Sequence, residues 1–164
     1  MNFEDVIGQS LLKTQLKQGI DSGRVPHAQL YVGKRGVGGL PIAIAYASYL
    51  TKQQSDGLGD MNTLTHPNIH FVYPVTTSEN VKSKPISSNY INEWRAFLET
   101  NPYGSINDWY SFIGVGNKQG VIGVEEASDI TSKMSLKAFN GGDKGMIIWM
   151  PEKKKSMCAN KLLK

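Results

Sequence analysis

The residues best placed to do chemistry are the glycines of Gly33-Lys34-Arg35-Gly36-Val37-Gly38-Gly39-Leu40. Between a strand and a helix, such a loop can close its backbone N–H groups around the phosphates of a nucleotide. Productive binding of a triphosphate also needs a Lys in the first helical turn to reach the β and γ phosphates, followed by a Ser or Thr hydroxyl for magnesium. Gly39 stands at the Lys position and Leu40 at the hydroxyl position. Lys34 and Arg35 lie too early in the loop to replace the missing Lys. A hydrogen bond to a charged group is worth about 1.5–3 kcal/mol, so the loss of both groups predicts ATP binding that is weak or absent. Gly33, Gly36, Gly38, Gly39 and Leu40 then form a degenerate phosphate loop; the plainer alternative is a glycine turn that only joins a strand to a helix.

The other half of such a site is an acid at the end of a central strand, holding magnesium, with a second acid beside it to activate water. Here Met146-Ile147-Ile148 runs into Trp149-Met150-Pro151, and Glu152 lies further on. Failures in both halves of one site predict a nonhydrolysing module with no catalytic residue.

Other reactive side chains read as structural. His66 and His70 are four apart, but Pro67 between them opposes a helical pair and no third metal ligand is at hand. The single cysteine, Cys158, can make neither an intrachain disulfide nor a Cys-based zinc site, and no base stands near it in sequence, which leaves packing. Glu125 and Glu126 are neighbours on a helix and point apart, so they form no acid–base pair. Lys153, Lys154 and Lys155 read as a solvated helix start, with contact to DNA phosphates as the alternative. Trp94, Phe97, Leu98, Trp109 and Tyr110 read as core, with a neighbouring subunit as an alternative cover for part of the stripe.

The elements that must position these residues alternate. Leu11, Leu12, Leu16 and Ile20 predict a helix over about 10–22, with Ser10 as N-cap and Gly23 as stop. Ala28-Gln29-Leu30-Tyr31-Val32 predicts a strand running into the glycine loop, and Leu40 to Lys52 a buried helix with Pro41 in its first turn. Thr51 to Thr65 is polar and carries Gly57 and Gly59. Ile69 to Tyr73 predicts a second strand, completing a βαβ unit. Residues 76 to 88 read as an exposed insertion, followed by helices at Tyr90–Leu98, at Ile106–Ile113 and over about Val124 to Phe139, where Ala127, Ile130, Met134 and Ala138 are spaced by three or four. After the turn Asn140-Gly141-Gly142, Met146 to Met150 reads as the most buried strand. The sum is an α/β fold, a parallel sheet flanked by helices of the P-loop NTPase kind.

At 164 residues, with 40% hydrophobic and 20% charged residues, the chain has the composition of one folded, soluble domain. Its net charge of +4 is compatible with anionic partners but typical of a solvated surface. The least polar run, Leu40 to Leu50, is too short for a membrane span, which needs roughly 20 residues. The acidic opening Met1-Asn2-Phe3-Glu4-Asp5 has no apolar signal-peptide core, so the cytoplasm is the expected location. Cys158, Ala159, Leu162 and Leu163 carry a helical pattern to Lys164 without a cap, which predicts a piece of a longer protein.

Three segments in order carry a family resemblance: His27-Ala28-Gln29-Leu30-Tyr31-Val32-Gly33 with Gly36-Val37-Gly38; His66-Pro67-Asn68-Ile69-His70; and Ile147-Ile148-Trp149-Met150-Pro151-Glu152-Lys153 with Ala159-Asn160-Lys161-Leu162-Leu163-Lys164. Together with Phe3-Glu4-Asp5-Val6-Ile7-Gly8-Gln9, they resemble the delta-prime subunit of the bacterial DNA polymerase III clamp loader, a member of the AAA+ class. The resemblance implies that residues 1–164 are the nucleotide-binding-type subdomain, with the lid and collar domains outside it. It places the family's metal-binding Asp at Trp149 and the neighbouring Glu at Met150, a degenerate Walker B.

The partners it implies are the delta and gamma/tau subunits, in a pentameric ring that places the sliding clamp on primed DNA during replication. In that ring gamma/tau hydrolyses ATP and delta-prime is a rigid, nonhydrolysing member. The family's arginine finger lies in a Ser-Arg-Cys motif beyond Lys164 and is not carried over. The family's four-cysteine zinc module has no counterpart, because Thr51 to Thr65 contains no cysteine, so no zinc is expected. An ATP-binding gamma/tau-like subunit is the alternative. A stand-alone nucleic-acid-binding domain is disfavoured by the modest charge and by the lack of a strand that combines aromatic and basic residues.

Overall fold

The computed structural model describes residues 1–54, 62–139 and 142–162. Gly57, Gly59, Asn140, Gly141, Leu163 and Lys164 lie outside the described residues. The fold is α/β, and the chain divides into two compact units, Met1–Ile69 with Ala138–Gly145, and His70–Lys137 with Met146–Lys164.

In the first unit, α1 (Ser10–Asp21) and α2 (Gly39–Gln54) pack against each other. Phe3, Val6, Ile42 and Ala45 form its core, with Leu12, Leu16, Tyr31, Tyr46 and Tyr49 packed on them. α1 is amphipathic as its spacing predicts, with Ile20 buried, whereas Leu11 is exposed. The residue before α1 is Gln9, in the left-handed conformation (φ 55°), and Ser10 is the first helical residue rather than the N-cap. Gly8 is also left-handed (φ 67°), so two successive turns of the backbone set the helix start in place of a side-chain cap. Pro41 sits in the first turn of α2, where its missing N–H costs no helical hydrogen bond.

The expected strand over 28–32 does not form; these residues lie outside every helix and strand. Tyr31 packs inward while Leu30 and Val32 are 76% and 86% exposed. The side chains alternate as in a strand, but no described segment supplies a ladder, and β-propensity without a partner does not make a strand.

In the second unit, β1 (Ile69–Val72) and β2 (Gly145–Ile148) form a two-stranded parallel sheet, in which the Trp149 N–H donates to Val72 O at 2.8 Å. All four residues of β2 are only half-buried, against the expectation of the most buried strand, because a single strand pairs with it among the described residues. Val75 pairs antiparallel with Val121, and Ile122 pairs in parallel with Lys154.

Four helices complete the second unit: α3 (Ile91–Thr100), α4 (Ile106–Phe112), α5 (Val124–Ser135) and α6 (Ser156–Leu162). α4 starts with a capping box, Ser105 Oγ accepting from Asp108 N and Asp108 reaching back to Ser105 N. α5 stops at Ser135, short of Phe139, and leaves Met134 42% exposed. Ser135 Oγ donates to Ser132 O, the local side-chain bonding that competes with helix continuation.

Val72, Ile122, Ala127, Ile130 and Cys158 form one core, flanked by Met146, Ile148 and Leu162. The predicted aromatic stripe forms the other: Trp94, Phe97, Leu98, Trp109 and Tyr110 are all buried. Tyr73 stacks on Trp94 at 4.0 Å between ring centres, and Trp109 meets Trp94 edge-on at 5.1 Å.

Candidate functional site

The glycine loop lies in the first unit and runs from irregular backbone, not from a strand, into α2. Gly36 (φ 78°) and Gly38 (φ 91°) adopt left-handed conformations that only glycine takes without strain. A Cβ at Gly33 would lie 2.7 Å from a methyl of the exposed Val37 side chain, so a larger residue there would require Val37 to move. The Ile42 N–H donates to Gly38 O and opens α2. Gln9 closes the loop from behind, its Nε2 lying 3.4 Å from Val37 O.

Gly39, the expected Lys position, is the first residue of α2, and a Cβ there would meet nothing within 4 Å, so a longer side chain has room there. Leu40, at the hydroxyl position, is 9% exposed and belongs to the core. Lys34 and Arg35 are exposed.

In the second unit, Trp149 and Met150 are built into the scaffold. The Trp149 ring lies 5.2 Å from Trp94 and 6.5 Å from Phe97. Met150 is left-handed (φ 54°) and caps the 3-10 turn Pro151–Lys153, its carbonyl accepting from Lys153 N. Glu152 is exposed on that turn. The two positions expected to form a degenerate Walker B thus hold an aromatic ring packed among others and a left-handed turn residue.

Lys153 to Lys155 is not a helix start. Ile122 N donates to Lys153 O and Lys155 N to Ile122 O, so the backbone of this run serves as a short parallel ladder before α6 begins at Ser156.

The His-Pro-Asn segment is a clip. His66 is buried and its Nδ1 accepts from Asn68 N at 3.1 Å; burial lowers the His66 pKa, which fixes the neutral ring that this bond requires. Asn68 grips the returning chain, donating from Nδ2 to Phe139 O and accepting at Oδ1 from Phe139 N, while its carbonyl accepts from Gly145 N. His70 belongs to β1. Among the described residues no group of three or more His, Cys, Asp or Glu is arranged to hold a metal ion.

Cys158 is fully buried, and burial pushes its thiol pKa up. Glu126 is the residue that sequence reasoning missed. It is 0% exposed, and its Oε2 accepts from Ser87 N at 2.8 Å. The signal was present in the spacing, since Glu126 lies one turn before the buried Ile130 on the same face of α5.

A small parallel sheet with flanking helices makes the fold α/β. The family model for "DNA polymerase III, delta subunit" matches residues 8–164, and the chain belongs to that family of clamp-loader subunits. No curated protein and no solved structure matches the chain. No helix among the described residues is long and apolar enough to cross a membrane.

Proposed function

We propose that the chain is the nonhydrolysing, delta-prime-like member of a replicative clamp loader, and that it works in the cytoplasm by holding other subunits, delta and gamma/tau, in the ring that places the sliding clamp on primed DNA. The observation that carries this reading is Trp149. Its ring stands at the position where the resemblance puts the metal-binding acid, and it is packed against Trp94, which an enzyme relying on a carboxylate at that place would not tolerate. Gly39 and Leu40, in the first unit, support the reading separately, one lacking a side chain and the other buried.

The test is equilibrium binding of a fluorescent ATP analogue with magnesium to the full chain, beside a Gly39→Lys, Leu40→Thr variant. The expected result is no binding below millimolar by the natural chain. Micromolar, magnesium-dependent binding would overturn the reading and make the chain a gamma/tau-like nucleotide-binding subunit. Co-purification with delta and gamma/tau subunits without nucleotide is the matching positive result.

A further inference from the structure

Between the end of β1 and α3 the chain makes an excursion over residues 76–90 that is tied down like a strap. Tyr90 Oη donates to Thr76 O at 2.6 Å and lies 2.9 Å from Ser78 Oγ, closing the strap on itself. Lys118 Nζ donates to Thr77 O. Two consecutive serines then fasten it to α5, Ser87 through Glu126 and Ser88 through Asp129 and Lys133.

The Ser87 fastening is the buried one. Ser87 Oγ accepts from Tyr73 N at 3.0 Å and donates to Tyr73 O at 3.2 Å, while Tyr73 Oη donates to Ser87 O at 2.7 Å. Ser87, Tyr73 and Glu126 are each 0% exposed. The Glu126 carboxyl is held by the Ser87 N–H on one oxygen, and its other oxygen, Oε1, is buried with no hydrogen-bond partner.

A carboxylate in that place is short of the solvation it needs. The Ser87 N–H and hydroxyl favour the charge but do not replace the several hydrogen bonds that water gives a carboxylate, and a buried charge with an orphaned oxygen is costly. The groups facing it offer little relief. On its own helix Asp129 opposes the charge and Lys133 favours it, but these two are paired with each other at 2.6 Å. From α6 the buried Cys158 and from the end of β1 Tyr73 both have raised pKa values, chiefly through burial, so they stay uncharged and supply no counter-charge.

We propose that the 76–90 strap is a latch closed by the uncharged form of Glu126, and that ionisation of this carboxyl favours release of the strap from α5. Release admits water to Oε1, so the open form carries the charge at less cost than the closed one. Burial raises the Glu126 pKa in the closed form, above that of a hydrated carboxyl. Linkage then makes opening easier as pH rises from the ordinary carboxylate value to the raised one, by up to about tenfold per pH unit, and flat above it.

Hydrogen exchange of the full chain, followed at several pH values and corrected for intrinsic exchange, reads this directly. Protection at Ser87, Ser88 and their strap neighbours is expected to fall with rising pH and then level off. Glu126→Gln, uncharged at every pH, is expected to abolish the slope, and Asp129→Asn to keep it. A flat profile in the natural chain, or the same slope in Glu126→Gln, overturns the proposal. So does a slope shared by every protected amide of the unit, which would make Glu126 a contributor to global stability alone. Should Glu126→Gln fail to fold, a carboxyl-carbon NMR titration of the natural chain decides: midpoint above the ordinary Glu range supports the latch, and one within or below it overturns it.

Discussion

Asn68 holds both backbone groups of a residue 71 positions away, with Nδ2 donating to Phe139 O at 3.0 Å and Oδ1 accepting from Phe139 N at 2.6 Å. A side-chain amide carries a donor and an acceptor side by side, so it can satisfy an N–H and a C=O of the same residue together. The His66-Pro67-Asn68 motif thus closes the first unit on its returning segment.

Asn68→Ala should destabilise the first unit by about 1–3 kcal/mol, the usual cost of leaving buried polar groups unpaired. Asn68→Asp, which still accepts from the Phe139 N–H but sets a carboxylate against the Phe139 carbonyl, should cost a similar amount. The measurement is the urea midpoint of each variant. An Asp variant as stable as the natural chain would show that the carbonyl half of the grip contributes nothing.

The clip also predicts a pH dependence. Burial depresses the pKa of His66, and its Nδ1 can accept from Asn68 only when the ring is unprotonated. The unfolded chain therefore binds a proton more readily than the folded one, and the stability contributed by the neutral ring is present above the ordinary histidine value of about 6.5. It is lost as pH falls from there through the lower folded value. Unfolding at pH 5 and pH 7.5 should show this loss in the natural chain and a smaller one in His66→Gln, whose side chain does not titrate.

How much could be read beforehand differs between elements for physical reasons. Helices and the aromatic core were legible because burial at three- and four-residue spacing is a local property, so Trp94, Phe97, Trp109 and Tyr110 fell where the pattern put them. The strand over 28–32 was not, because Leu30 and Val32 carry the propensity but pairing depends on a partner elsewhere in the chain. The start of α1 was misplaced by one residue, since backbone conformation at Gly8 and Gln9 took over the work expected of the Ser10 side chain. The residue types at Gly39, Leu40, Trp149 and Met150 were visible in the sequence, but their surroundings were not: Leu40 belongs to the core and Trp149 neighbours Trp94. The sequence also concealed Glu126 as the buried partner of Ser87.

Ser87 and Tyr73 should behave as a coupled pair. Ser87→Ala leaves the Tyr73 N–H without its partner, and Tyr73→Phe leaves the Ser87 carbonyl without its own. Each should cost about 1–3 kcal/mol. Because both changes break one network, the double variant should cost less than the two singles added, by 0.5 kcal/mol or more, roughly the scale of coupling between contacting residues. Strict additivity in a double-mutant cycle would mean that the two sets of bonds act independently.

Gly39→Lys should be close to neutral for stability, within about 0.5 kcal/mol. Replacing glycine within a helix gains up to about 1 kcal/mol, and placing a positive charge at a helix N-terminus loses about 0.3–1 kcal/mol. With nothing within 4 Å of a Cβ at this position, sterics adds no further cost. Thermal unfolding of the single variant checks this, and a large drop would mean that the loop has closed over the space a Lys once used.

An acid restored at Trp149 should be costly in a way that a Lys restored at Gly39 is not. The Trp149 ring contacts both Trp94 and Phe97, and truncating a large aromatic in such a cluster costs about 3 kcal/mol. A carboxylate set among those rings must either draw in water or hold its proton, which adds to the loss. Trp149→Phe keeps most of the contact and should lie between the natural chain and Trp149→Asp in urea midpoint. That order follows only if the indole is part of the core. If Trp149→Asp unfolds at the same urea concentration as the natural chain, the ring is dispensable, and the position is a catalytic acid site that lost its acid without being rebuilt.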